Sequence, residues 1–552
     1  MLSSNGIRFS ITDLGGQSQR ILPAAFLDRA AISLYDAQWQ DGKRVPIPVG
    51  TISKVVEALK RFGQTVQDFG VDASKIRVLA TEATRTALNS EELRNEIKLH
   101  TGWTVDLLPK EMEGKIGAYG VASSYDEVWG LVMDLGGGST QITWMKTEYG
   151  TVKISDVGSV SLPYGAAALT KRLEALEREN AHSLKAFEEE VVENLRAAVK
   201  TIELPEDLVH ADTNGLNLYL TGGGFRGWGF VLMSEHQIKP YPIPIINGFH
   251  VTSDAFQDTT AVTTAVKKVT EEETPEIFRV SDRRASQVPA VAFLVNCLSH
   301  ALRDMITDVY FCQGGVREGF LFLEELDWAT RGADPFVTAT LPNAPPSTEE
   351  LVSLLIPTIC PPPSTKYQRA IFRRDMLTTF VQAMYVHSAY PKDVSAGAAL
   401  RSTTTGIFAN THGVSHEQRA TLALLLCERY GGFKSISPTE QDFYHRMSQL
   451  LPKRKVWWCI LLGRVAAVLG NIFPAGLVPD WRVTINVEWT SKKHDHVLCI
   501  DFEMSPQLGY SRNEGLKKLV GAVEKAGKRK NWVDGKGYKV LVTVNGREMG
   551  ES

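Results

Sequence analysis

Two apolar runs in this chain break abruptly into three glycines, and no other feature limits its fold as much. Gly130-Leu131-Val132-Met133-Asp134-Leu135 runs into Gly136-Gly137-Gly138-Ser139-Thr140-Gln141 and then a second β-rich stretch, Ile142-Thr143-Trp144. Leu216-Asn217-Leu218-Tyr219-Leu220-Thr221 ends likewise in Gly222-Gly223-Gly224. Glycine backbone can turn its N–H groups inward and approach phosphate oxygens closely, and Ser139 and Thr140 add hydroxyl donors, so 136–140 reads as an anion cradle. The competing reading is a plain hairpin, for which about two residues of turn chemistry suffice. Bound phosphate would repel Asp134. A hard cation such as Mg²⁺, held partly through water, reconciles the two charges and makes Asp134 the candidate metal ligand. Neither break contains Gly-x-Gly-x-x-Gly opening a helix or a Gly-Lys-Ser/Thr loop, which removes the Rossmann and Walker classes. The expectation is an α/β protein with two lobes around a cleft.

With these residues the chain resembles the exopolyphosphatase and guanosine pentaphosphate phosphohydrolase family, over roughly residues 1 to 330. Ala80-Thr81-Glu82-Ala83-Thr84-Arg85, the acids Glu111 and Glu113 ahead of Gly114-Lys115, and Asp134 to Thr140 carry the resemblance. It continues through Ser161-Leu162-Pro163-Tyr164-Gly165, Leu220 to Gly224, Arg284-Ala285 and Gly315-Val316-Arg317-Glu318-Gly319. The resemblance implies two lobes of the actin, Hsp70 and sugar-kinase (ribonuclease H-like) type. It also implies a phosphate ligand and Mg²⁺, and assigns phosphate contacts to Ser4, Asn5, Arg85, Gly136, Gly137, Gly138, Ser139, Thr140, Gly222, Gly223 and Gly224. Glu111 would be the general base, with Glu113 and Gln141 completing the catalytic positions. The variants at Gly6-Ile7-Arg8-Phe9-Ser10 and 136–141 are most similar to fungal members that relay mitochondrial state to nuclear transcription from the cytoplasm. Those members imply a protein partner and a homodimer.

The residues also admit other readings. Ile76 to Thr81 reads as a short strand and Glu82 to Leu99 as a helix, which places Arg85 in a first turn where it opposes the helix dipole. A phosphate would make that position favourable; so would an ion pair with Glu82, Glu91 or Glu92. Glu111 and Glu113 lie between the strand-like Thr104–Leu108 and a helical Gly114–Ser123. There they can serve as a base lifted toward neutrality by burial, or simply as acids stabilising a helix start.

Two departures from the family pattern bear on activity. Active members carry a glutamate where this chain has Gln141, and an amide neither accepts a proton nor holds a metal as a carboxylate does. Family members also open with a strand, an Asp-x-Gly turn and Ser/Thr-Asn. Here Ser4-Asn5-Gly6 supplies only the second half of that element, so the first sheet is expected to lack its first strand and leave a neighbour with unpaired backbone groups, through a misassigned start or a shortened form. Asp13-Leu14-Gly15-Gly16 mimics the missing turn but follows a strand, and is taken as loop punctuation.

At 552 residues with 43% hydrophobic content, several cores are expected, and the formal charge of -3 gives no pull toward nucleic acid. Six cysteines without metal spacing read as free thiols of a reducing compartment. Val456 to Phe473 is apolar but interrupted by Arg464, so a buried helix is expected there, not a membrane span. The expected boundaries are a first lobe over 1–145, a second over 146–330 with a long helical insert at Ala166–Ile202, and a proline-rich linker over 331–366. A helical domain over 367–475 and an α+β cap over 476–552 follow. His387, His412, His416 and His445 in the helical domain read as structural. The lysines of the cap could attract polyphosphate, an acidic partner or RNA, or form a solvated face. Three functions remain: a nucleotide- or polyphosphate-gated regulator, an active phosphohydrolase, and a phosphotransferase, for which no acceptor site is visible.

Overall fold

A computed structural model of the chain describes residues 1–3, 6–40, 42–178, 181–209, 215–271, 276–302, 305–362, 371–492 and 495–548. It divides into two compact units. The first comprises residues 1–237 and 246–333, and the second comprises 238–245 and 334–552.

The first unit holds two large sheets built alike, besides a two-stranded ribbon of Trp39–Gln40 and Lys43–Arg44. In the first, the strand order is Ala24–Ala30, Gly6–Thr12, Leu2–Ser3, Val78–Ala80, Val105–Leu107. The second has Thr151–Ile154, Thr140–Glu148, Trp129–Leu135, Leu216–Gly222, Ile306–Phe311, with His250–Thr252 added at one edge. In both, the first three strands in chain order form an antiparallel meander and the next two join in parallel. Parallel joins need crossover helices, and those helices cover the sheet faces.

The first sheet does not lack its first strand. Leu2–Ser3 fills the place, antiparallel to Ile7 and Gly6 and parallel to Ala80. It is two residues long, and a cavity of about 460 Å³ lies beside it, lined by Met1, Arg8, Ser10, Thr12 and Leu79 among others. Strand register makes Ser10 face the same side as Arg8, whose N–H and C=O both pair with Met1. Asp13 sits in a loop, its carboxylate accepting from the Gly15 N–H at 2.8 Å.

Helices differ from expectation at their ends. The helix expected from Glu82 splits into Glu82–Arg85 and Ser90–Thr101, and the one after Leu108 begins at Lys110, so Glu111 and Glu113 lie within its first turn. The insert forms two helices, Ala166–Glu177 and Ala181–Thr201.

In the second unit the expected linker is structured. Pro335 opens the helix Pro335–Thr340, Pro342 and Pro357 stand in the first turns of short 3₁₀ segments, and Leu351, Val352 and Leu355 of Thr348–Leu355 are fully buried. Proline is tolerated in a first turn because the N–H it lacks has no helical partner there. Residues 363–366 of that stretch lie outside the described ones. The helical domain and cap also share one core. Lys453–Ile472 is buried among the helices and against the sheet Val483–Lys492, Asp495–Met504, Lys539–Val544, with Trp457 donating to the carbonyl of Ala526 at 3.1 Å. His416 is held between the Tyr241 hydroxyl and the Ile245 carbonyl.

Candidate functional site

The two glycine breaks meet. A Cβ on Gly222 would lie 2.3 Å from the Leu135 carbonyl oxygen and 2.4 Å from Asp134 Oδ1, and one on Gly224 would lie 2.4 Å from the Leu135 side chain. Gly222 also has φ +93°, so both space and backbone require glycine.

The loop after Leu135 is folded so that its carbonyls and amides point apart. The carbonyls of Gly136, Gly137 and Gly138 accept from the N–H groups of Gly165 to Ala168, which caps the helix Ala166–Glu177. The Gly136 N–H closes the loop on the Ser139 carbonyl. Among the described residues, the N–H groups of Gly137, Gly138 and Ser139 have no acceptor, and neither do those of Gly223 and Gly224 at the start of the helix Gly223–Glu235. Three successive unpaired amides leave a concavity of the kind suited to an anion, and the neighbouring helix start adds two more unpaired amides.

Asp134 ends its strand at the base of the same depression, Oδ1 against Gly222 and Oδ2 3.6 Å from where a Gly117 Cβ would be. Burial raises its carboxyl above the usual range, against the pull of Arg226 and Arg8. It makes no hydrogen bond or ion pair among the described residues. Glu113, Asp134, Gln141, Thr143 and Ser159 line one small niche. Within it, burial lifts Glu113 to about 7, opposed chiefly by Arg85, whose Nη2 lies 3.0 Å from Glu113 Oε2.

Several sequence assignments change. Glu111 is exposed, and Glu113, two positions along the helix, faces the niche. Arg85 pairs with Glu113 and the Leu108 carbonyl, not with Glu82, Glu91 or Glu92, so its guanidinium is already engaged. Thr140 is buried with its hydroxyl donating to the Tyr164 carbonyl at 2.8 Å, and Gly136 spends its N–H inside the loop. Gln141 reaches Ser139 Oγ at 3.0 Å. Ser4 and Asn5 lie outside the described residues.

A set of arginines was missed. Arg8 and Arg226 act on Asp134, and Arg284 is coupled to both arginines. Burial lowers each, Arg226 to about 9, and like charges lower them further: Arg8 acts on Arg226, Arg8 and Arg29 on Arg284. Arg226 donates to the Gln313 carbonyl, and its buried Nε has no partner. Glu318 and Asp134 oppose that repulsion at Arg8 and Arg226, so part of the positive charge is already offset by carboxylates of the chain. Sequence spacing gave no sign of this, since the arginines lie on a strand, a helix and a short helix far apart in the chain.

Residues 17–327 match the model of the Ppx/GppA phosphatase family. The chain belongs to the Ppx/GppA phosphatase family. Residues 334–549 match the RTG2 C-terminal domain. The chain is 36% identical over 493 residues to Retrograde regulation protein 2 of Saccharomyces cerevisiae, covering 87% of this chain and 81% of that protein. It is also 36% identical over 87 residues to a guanosine-5'-triphosphate,3'-diphosphate pyrophosphatase of Photobacterium profundum, covering 16% and 17% of the two chains. A crystal structure of the Aquifex aeolicus Ppx/GppA phosphatase aligns at TM-score 0.43 and 23% identity, covering 59% of this chain and 97% of that one.

Members of this family generally use a divalent metal; among the described residues no group of three or more His, Cys, Asp or Glu is gathered to hold one, and the candidate donors are fewer. Asp134 offers a carboxylate free of hydrogen bonds, Glu113 and the Gln141 amide lie across the niche, and unpaired amides stand ready for the anion such an ion accompanies.

Proposed function

We propose that this protein is a phosphate-ligand-gated regulator in mitochondria-to-nucleus retrograde signalling, in which a nucleotide or polyphosphate closes the cleft and alters a surface held by a protein partner. The observation that carries the reading is the run of unpaired amides at Gly137, Gly138 and Ser139, beside the strand end that holds Asp134 and the unpaired amides of Gly223 and Gly224. Identity with a yeast retrograde regulation protein over most of both chains supports the pathway. Mg²⁺ held by Asp134 would offset phosphate charge. A ligand touching both lobes binds the closed form better and shifts its population, which is how occupancy becomes a signal. Gln141 favours binding over turnover, because an amide stands where a second candidate base would be, leaving Glu113 as the base beside Asp134, the candidate metal ligand.

The alternative is an active phosphohydrolase. One observation favours it: Glu113, lifted to about 7, is poised to take a proton from an attacking water. Purified full-length protein with Mg²⁺ and either polyphosphate or a guanosine polyphosphate separates the two readings. The regulator is stabilised against heat by the ligand and releases no phosphate. Turnover that vanishes in Glu113→Gln would favour the enzyme. Gly137→Val should abolish the stabilisation, and unchanged stabilisation would reject the cradle.

A further inference from the structure

Glu82 is a carboxylate that neither reading employs, and it stands against the cradle. It opens the short helix Glu82–Arg85 at the end of the first sheet's strand Val78–Ala80, and reaches across to the second lobe. Its Oε2 accepts from Ser139 Oγ at 3.2 Å, and a Cβ on Gly138 would lie 2.7 Å from the same oxygen. Ser139 Oγ in turn accepts from the Gln141 amide at 3.0 Å. Among the described residues no cation pairs with Glu82; Arg85, on the same helix, is turned to Glu113 and the Leu108 carbonyl. The negative charge is therefore uncompensated at the rim of an anion site, and it is felt by Glu113 and Tyr35.

We propose that Glu82 determines ligand selectivity by making the cradle accept phosphate only as a complex with a divalent cation. The inference rests on the anion-binding reading above. A bare phosphate entering the loop must displace Glu82 from Ser139 and then face its charge. At about 5 Å and an effective dielectric of about 20, that repulsion is worth about a hundredfold in affinity. A divalent ion travelling with the phosphate lies between the two charges and cancels the penalty, so the same carboxylate that excludes the free anion tolerates the complex. Selectivity of this kind suits a sensor of cellular nucleotide or polyphosphate, which exists largely as metal complexes, because inorganic anions without bound metal are rejected.

The test uses full-length protein and sodium tripolyphosphate, with either excess Mg²⁺ or excess EDTA, read by calorimetric titration and by thermal shift. In wild type the apparent Kd should weaken about tenfold or more when Mg²⁺ is replaced by EDTA. In Glu82→Gln and Glu82→Ala the same ratio should shrink about tenfold relative to wild type, through tighter binding in EDTA, leaving only the part that Mg²⁺ at Asp134 supplies. Melting of the ligand-free variants reports their folding, and the two substitutions guard against a packing defect in either. An equal Mg²⁺ ratio in wild type and both variants would overturn the proposal while leaving anion binding intact. Binding by none of the proteins in either condition would remove the cradle itself, and the proposal with it.

Discussion

Glu113 holds its proton to about 7 because burial opposes the carboxylate, and Arg85 recovers only part of the loss. The folded-state value lies above the ordinary 4.5, so the folded chain binds the proton more tightly than the unfolded chain. Glu113 thus contributes fully to stability below about pH 4.5, and that contribution is lost as the pH rises through 7. Urea unfolding of wild type and Glu113→Gln from pH 5 to pH 8 should show wild type losing on the order of 2–3 kcal/mol relative to the variant. A constant difference across that range would mean the carboxyl is not perturbed. Arg226 bears on the ligand instead. Arg226→Met should leave stability nearly unchanged, since the buried charge is costly, while weakening tripolyphosphate binding about tenfold in a calorimetric titration. The acid pair near 111 was legible in the sequence, but which acid faces the niche was not. Positions two apart on a helix point about 200° away from each other, and only the packing of Lys110–Ser123 decides which turns inward.

Helix and strand junctions carry the next level of constraint. The loop 136–139 keeps its amides outward because the helix Ala166–Glu177 takes its carbonyls, and a Cβ on Gly165 would stand 2.3 Å from the Gly138 carbonyl carbon. Gly165→Ala should therefore cost about 1–3 kcal/mol in denaturant unfolding and also abolish ligand-induced stabilisation, though the residue touches no ligand. Lys110–Ser123 packs closely on Val316–Phe320. A Cβ on Gly319 would come 1.8 Å from the Ile116 carbonyl oxygen, so Gly319→Ala should destabilise at least as strongly and alter closure. The strand-to-glycine breaks were readable because they are local: an apolar run followed by residues without side chains. The proline-rich stretch was misread because composition does not show that Pro335 sits in a helix's first turn, where proline is at home.

At the level of the whole chain, each compact unit has its own buried core, the second spanning Phe336 to Val544. Two cores predict departure from two-state unfolding, with two calorimetric transitions. Mg²⁺ with tripolyphosphate should raise only the transition of the first unit, by about 2.7 kcal/mol at a hundredfold excess over Kd. A shift of both transitions together would show that the units unfold as one. Residues adjacent in the chain were enough to read the glycine loop at 136–138, Asp134 near its strand end, the α/β character and the buried helix at 453–472. Packing alone settled that Glu113 and not Glu111 enters the niche, that Arg8 and Arg226 come to act on Asp134, and that Glu82 leans on Ser139. Those relations join residues tens to hundreds of positions apart. Their energies, burial and charge, exist only once the lobes have folded together.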